Sequence, residues 1–155
     1  MSFEKSSEVI LAHTVRANNI ELADLIYYDD TNDCLYLVHN KGTFNGAGSR
    51  DLMNQIITSA EFINNYRHDS LKRKKFFEDY FKKIKEKYPE NAKINSMDFE
   101  DFFKWFDKKI CYVAGFLYNL SDCVRSNYAK YITIDINKRL NEKNFELKLL
   151  DINRR

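Results

Sequence analysis

Two short apolar strands, a glycine-rich corner and the start of a helix follow one another between Ile20 and Gln55, and this order constrains the fold more than any other stretch. The first strand, Ile20-Glu21-Leu22-Ala23-Asp24-Leu25-Ile26-Tyr27, holds an acid inside an apolar run. The second, Cys34-Leu35-Tyr36-Leu37-Val38-His39-Asn40-Lys41, ends in His-x-Lys. Side chains in a strand alternate between faces. Leu35, Leu37, His39 and Lys41 are therefore predicted on one face, and Leu22, Asp24 and Ile26 on one face of the neighbouring strand. Where those faces coincide, Asp24, His39 and Lys41 converge at the end of the hairpin. By the same alternation Glu21 points the other way.

The rest of the chain reads as one domain. Its length of 155 residues, 44% of them apolar, is enough for a substantial core. Val9–Val15 is predicted as a first strand, Ile20–Tyr28 as a second and Cys34–Asn40 as a third, forming a meander around an Asp29–Asp33 turn. Gly42, Gly46 and Gly48, of four glycines in all, mark a loop that ends at Ser49, a candidate N-cap. Helical spacing of Leu52, Ile56, Ala60 and Ile63 predicts a helix over Arg50–Asn64. Leu71–Lys87 is a second helix ended by Pro89, with Phe76, Phe77, Tyr80, Phe81 and Ile84 inward. Met97–Asp107 is a short aromatic helix. Ile110–Tyr118, almost wholly apolar, reads as a strand buried on both faces. Ser121–Lys143 is helical with a break near Asn127, and Phe145–Ile152 is an edge strand. The predicted class is α/β, with helices flanking a mixed central sheet.

Composition narrows the function classes. Net charge is only +2, so the average excludes no partner. The distribution says more: Ser70–Phe77 carries Lys72, Arg73, Lys74 and Lys75 with no intervening acid, a stripe suited to a phosphate backbone or simply to solvent. The glycine loop opening a helix, with Ser49 and Arg50, suits a phosphate as well. Cys34, Cys111 and Cys123 are odd in number and lack metal-binding spacing, so they read as reduced thiols in a cytoplasmic protein. No apolar run approaches the roughly 20 residues of a membrane helix. Phe99, Phe102, Phe103, Trp105 and Phe106 read as core before they read as a base-stacking platform.

The order strand with Asp24, strand ending at Lys41, helix, strand resembles the PD-(D/E)XK restriction-endonuclease-like superfamily. That resemblance implies a metal-dependent nuclease-like domain acting on nucleic acid, DNA before RNA. Asp24 would be the acidic metal ligand, His39 would stand in the place of the second acid, and Lys41 would be the catalytic lysine. Gln55 would bond the substrate or orient the metal water. Mg2+ or Mn2+ is the implied cofactor, and a second copy of the chain is a compatible partner. The stretches Glu21–Leu25, Leu37–Lys41, Leu52–Gln55 and Ser59–Glu61, and the end Tyr131–Ile152, look more specifically like the C-terminal part of a bacterial family described only as sporadically distributed proteins. Such patchy occurrence is associated with mobile-element or defence genes. One departure stands out. His39 offers a neutral imidazole where the superfamily has a carboxylate, which weakens Mg2+ binding and favours softer ions. Either Glu21 or Asp51 compensates, another metal is used, or catalysis is lost. The rivals are a catalytically degenerate nucleic-acid-binding module, and a protein-interaction or inhibitor module whose aromatic helix docks a partner through Trp105.

Overall fold

The computed structural model describes residues 9–42, 46–116 and 127–151. Five strands form one mixed sheet in the order β1-β2-β3-β4-β5. They are β1 Ile10–Leu11, β2 Leu25–Asp29, β3 Cys34–Lys41, β4 Lys109–Phe116 and β5 Glu146–Asp151. β2 runs antiparallel to β1 and β3, while β3, β4 and β5 are mutually parallel. The described helices are α1 Gly46–Tyr66, α2 Ser70–Lys87, α3 Ala92–Asn95, α4 Phe99–Trp105 and α5 Asn127–Asn141.

Local chemistry explains these elements. The β2–β3 turn closes because Asp29 accepts from the backbone of Thr31 and Asn32, and Asp33 takes a left-handed φ of 49°. Asp69 caps α2 by accepting from the Lys72 amide at 3.1 Å, and Asp98 caps α4 through Asp101 at 2.8 Å. The inward face of α2 is the one its spacing predicts: Phe76, Phe77, Tyr80, Phe81 and Ile84 are all buried. On α1, Leu52, Ile56, Ala60 and Ile63 are buried. Removing each large side chain of this kind from water stabilises the fold by roughly 1.5–3 kcal/mol. Leu35, Leu37, Ile110, Tyr112 and Ala114 of the sheet join this helix-covered core. Cys34, Tyr36, Val38, Cys111 and Val113 form a smaller cluster on the opposite sheet face. Cys34 and Cys111 are buried free thiols, and burial pushes Cys111 up to about 12. They behave as small hydrophobes, not nucleophiles.

Several predicted boundaries change. The first strand is only Ile10–Leu11, because Thr14 adopts φ 58° and turns the chain. The second begins at Leu25, five residues later than its apolar pattern predicts. The chain from Ala17 to Ile20 is instead folded back on itself by the left-handed Asn18 and Asn19, so regular pairing with β1 and β3 begins only at Leu25. The third strand reaches Lys41. Helix α1 starts at Gly46, so Ser49 is not its N-cap: it lies in the first turn, buried, with its hydroxyl toward the Gly46 carbonyl at 3.4 Å. The glycine loop is thus already helical from Gly46. Expectations for residues 1–8, 43–45, 117–126 and 152–155, Cys123 among them, lie outside the described residues. No described helix is long and apolar enough to cross a membrane.

Candidate functional site

Thirteen residues join β1 to β2, from Ala12 to Asp24, and they fold as an irregular double turn. Asn18 and Asn19 take φ of 48° and 61°, a region asparagine tolerates better than most residues. They close a small bridge between Ala17 and Ile20. Val15, Ala17, Leu22 and Ala23 are buried beneath the turn and anchor it. Its ends are tied to the sheet: the Ala12 amide donates to the Asp24 carbonyl and the Asp24 amide to the Val38 carbonyl, both at 2.8 Å. Helix α2 clamps the near side, with Lys87 Nζ at 3.0 Å and the Tyr88 hydroxyl at 2.8 Å both donating to the His13 carbonyl.

The turn gathers three ligand-type side chains that strand alternation would separate. His13 Nδ1 lies 2.6 Å from Asp24 Oδ1 and 3.8 Å from Glu21 Oε1. One ligand atom from each of His13, Glu21 and Asp24 lies within 4.8 Å of the others. The carboxylates are sheltered, at 13% exposure for Glu21 and 14% for Asp24, whereas His13 is 66% exposed. Backbone amides orient both acids. Thr14 N–H donates to Glu21 Oε1 at 2.6 Å, and Asn40 N–H donates to Asp24 Oδ2 at 2.7 Å. Arg16 Nε stands 3.8 Å from Glu21 Oε2. Glu21 also lines a cavity of about 280 Å³ together with Arg16, Asn54, Gln55 and Thr58.

Asp24 therefore sits immediately before β2, beside the strand end that bears His39 and Lys41. Lys41 is half-buried and forms no ion pair among the described residues. Gln55 is exposed on α1 and faces the same cavity as Glu21. His39 takes a different place from the one predicted. It is buried, at 1% exposure, with its ring stacked 6.3 Å from that of Tyr112 and its Nε2 without a hydrogen-bond partner among the described residues. Burial pushes its pKa down to about 4, against the opposing pull of the Asp24 charge and the Leu22 backbone. It is neutral at neutral pH and belongs to a polar cluster around the Leu22 peptide. In that cluster the Ser59 hydroxyl donates to the Leu22 carbonyl at 2.9 Å and lies 3.0 Å from the Tyr112 hydroxyl. The Tyr80 hydroxyl is buried beside this cluster without a hydrogen-bond partner among the described residues, and desolvation pushes its pKa upward. The Ser59 bond holds the acid-bearing turn from below.

The basic residues divide. Arg50 is exposed on α1, and Ser49 is buried. Lys72 pairs with Asp69 at 3.1 Å, Arg73 with Asp107 at 2.6 Å and Lys74 with Glu100 at 2.8 Å. Lys75 is exposed and forms no ion pair among the described residues. Phe102, Trp105 and Phe106 are core residues, so the partner-docking role imagined for Trp105 has no exposed surface to use. Asp51 stands exposed on α1, outside the cluster. An extended reading of residues 20–24 puts Glu21 on the face opposite Asp24, able to help only through a bulge, and gives His13 little weight. The Asn18-Asn19 pair does mark a turn in the sequence, and both residues take left-handed φ, but the pair does not show that the turn continues to Asp24.

Comparison of the chain with models of protein families, with curated proteins and with solved structures finds no match.

Proposed function

We propose that this chain is a metal-dependent nuclease-like domain of the restriction-endonuclease type, which binds nucleic acid and hydrolyses phosphodiesters. The observation that carries the reading is the 2.7 Å bond from the Asn40 amide to Asp24 Oδ2. It fixes a carboxylate to the end of the strand that presents Lys41, at the junction of two antiparallel strands followed by a helix and a parallel strand. Asp24 supplies an anionic oxygen donor, as a hard cation requires. A bound divalent ion would polarise the phosphate and acidify a water. Lys41, at the strand end and without an ion pair among the described residues, would orient the attacking water or stabilise developing negative charge. Gln55 and Arg16 line the adjoining cavity as hydrogen-bond donors for substrate oxygens. His39, buried with its ring stacked against Tyr112, packs behind the site in this reading and does not touch the ion or the substrate.

The test is digestion of single- and double-stranded DNA and RNA with Mg2+ or Mn2+. Cleavage that disappears in Asp24→Ala and in Lys41→Ala is the expected result. No cleavage of any substrate, or cleavage indifferent to both changes, removes the enzymatic reading. One observation favours a second reading, a nucleic-acid-binding module without catalysis: the neutral, buried His39 contributes no charge where a second acid would stand. That reading expects salt-sensitive binding that survives Asp24→Ala.

A further inference from the structure

We propose that His13, Glu21 and Asp24 together form a binding site for a divalent transition-metal ion of the Mn2+ class, in preference to Mg2+. The role of the ion rests on the nuclease reading above; the donor set does not. It follows from the turn between β1 and β2, which brings one imidazole nitrogen and two carboxylates to a common point.

The geometry is close to what an ion needs. Donors each about 2.1 Å from one ion are at most about 4.2 Å apart. The His13–Asp24 and His13–Glu21 separations, 2.6 and 3.8 Å, already fall inside that span. The orienting shell is also present. Metal-binding carboxylates are held by hydrogen bonds from outside the ligand set, and here each acid accepts one backbone N–H, from Thr14 and from Asn40. The His13 backbone is pinned by Lys87 and Tyr88. Sheltered carboxylates beneath an exposed imidazole leave an approach from solvent. Beside the ion, the cavity bordered by Glu21 and Arg16 gives space for an anionic substrate.

Charge and softness select the metal. Two carboxylates with a neutral imidazole carry a formal charge of −2, offset in part by Arg16 at 3.8 Å from Glu21. A nitrogen donor favours first-row transition ions over Mg2+, which prefers oxygen and retains its water. The nitrogen in the site is therefore that of His13, not that of His39, whose ring is sealed in the core against Tyr112. The competing account is a metal-free arrangement in which the His13 ring bonds Asp24 directly at 2.6 Å and no ion is held.

The experiment titrates Mn2+ into the full chain and follows free Mn2+ by electron paramagnetic resonance, with Mg2+ as competitor. Spin-echo modulation from a coordinated imidazole nitrogen is recorded on the bound ion. We expect one ion per chain, bound at least ten-fold more tightly than Mg2+, with nitrogen modulation. His13→Ala should abolish the modulation and lower the preference for Mn2+ over Mg2+ at least ten-fold. Glu21→Gln and Asp24→Asn should weaken Mn2+ at least ten-fold, and Asp51→Asn should leave it unchanged. His13→Gln provides a second variant should His13→Ala lose its fold by circular dichroism. Absence of Mn2+ binding by the folded chain overturns the proposal in favour of the metal-free arrangement. Binding that is indifferent to both His13 variants, or nitrogen modulation that disappears only in His39→Gln, overturns it as well. The two readings fail separately. Mn2+ held by these three donors without cleavage of any substrate keeps the site and removes the nuclease. Mg2+-dependent cleavage unaffected at His13 keeps the nuclease and removes the site.

Discussion

Helix α2 and the turn between β1 and β2 are both dense in charge, yet they use it in opposite ways. Along α2 the cations find local acids: Lys72 with Asp69, Arg73 with Asp107, Lys74 with Glu100 and Lys83 with Asp79. In the turn, two carboxylates and an imidazole crowd together, with a single guanidinium 3.8 Å from the nearer acid. The difference is geometric. A helix fans its side chains out around a cylinder, so each meets its own neighbour. An irregular turn can aim several side chains at one point, and the like charges there have to be tolerated. Charge density is visible in a sequence, whereas convergence is not, and convergence is what distinguishes a candidate site from a solvated face.

The largest effect expected from breaking this contrast is at Asp24. Asp24→Asn keeps the shape and an acceptor for the Asn40 amide while removing the charge. Metal-dependent cleavage should fall at least about 10³-fold, corresponding to about 4 kcal/mol of barrier. Single-turnover rates on a labelled oligonucleotide measure it. A fall of less than ten-fold would mean that the turn's crowding is incidental.

Next is the pH dependence of stability contributed by His39. Its folded pKa, about 4, lies below the ordinary 6.5, so between these values the unfolded chain binds the additional proton. Stability should therefore fall as pH drops from 6.5 to 4, by roughly 3 kcal/mol in total from this group. Urea unfolding across that range should show a shallower decline in His39→Gln than in the native chain. Parallel curves would mean that His39 reaches solvent, and would restore it as a candidate ligand.

A smaller effect is expected at Ser59, whose hydroxyl joins the Leu22 carbonyl to Tyr112. Ser59→Ala leaves two buried polar groups short of a partner, and such losses cost about 1–3 kcal/mol. A double-mutant cycle with Tyr112→Phe should show coupling of about 1 kcal/mol. Mn2+ affinity should fall too, since the same bond holds the peptide between Glu21 and Asp24. Loss of stability with unchanged affinity would uncouple the core cluster from the site.

What was legible beforehand follows the same division. The inward faces of α1 and α2, the aromatic core of α4 and the doubly buried β4 rest on regular periods, and each is found where its pattern predicts; the antiparallel order of the first three strands is found too, but with β1 and β2 shorter than predicted. Residues 12–24 were not legible, because their order comes from left-handed asparagines and from hydrogen bonds to β3 and α2, which leave no period. Reading Leu22-Ala23-Asp24 as extended placed Glu21 on the wrong face and left His13 without a role. His39 failed differently. Alternation assigned its face correctly, but that face is covered by α1, and a buried imidazole at a strand end looks identical in sequence to an exposed one.

The smallest effect concerns the basic stripe itself. A protein contact to duplex phosphate contributes about 0.9 to the slope of log affinity against log salt concentration. If Lys72, Arg73, Lys74 and Lys75 all touched phosphate, replacing the four with alanine would flatten that slope by about 3.6. Three of them already face Asp69, Asp107 and Glu100, and Arg73 also stacks 5.0 Å over the Phe103 ring. Only Lys75 is free of an ion pair among the described residues, so the expected change is about 0.9. Lys41→Ala and Arg50→Ala, at the mouth of α1, should each change the slope as much as the whole stripe does. Fluorescence anisotropy with a labelled duplex over a range of NaCl concentrations reads both numbers. A change near 3.6 would show that α2 exchanges its internal partners for phosphate, and the contrast between the helix and the turn would then lie in what each pairs with, not in whether it is paired.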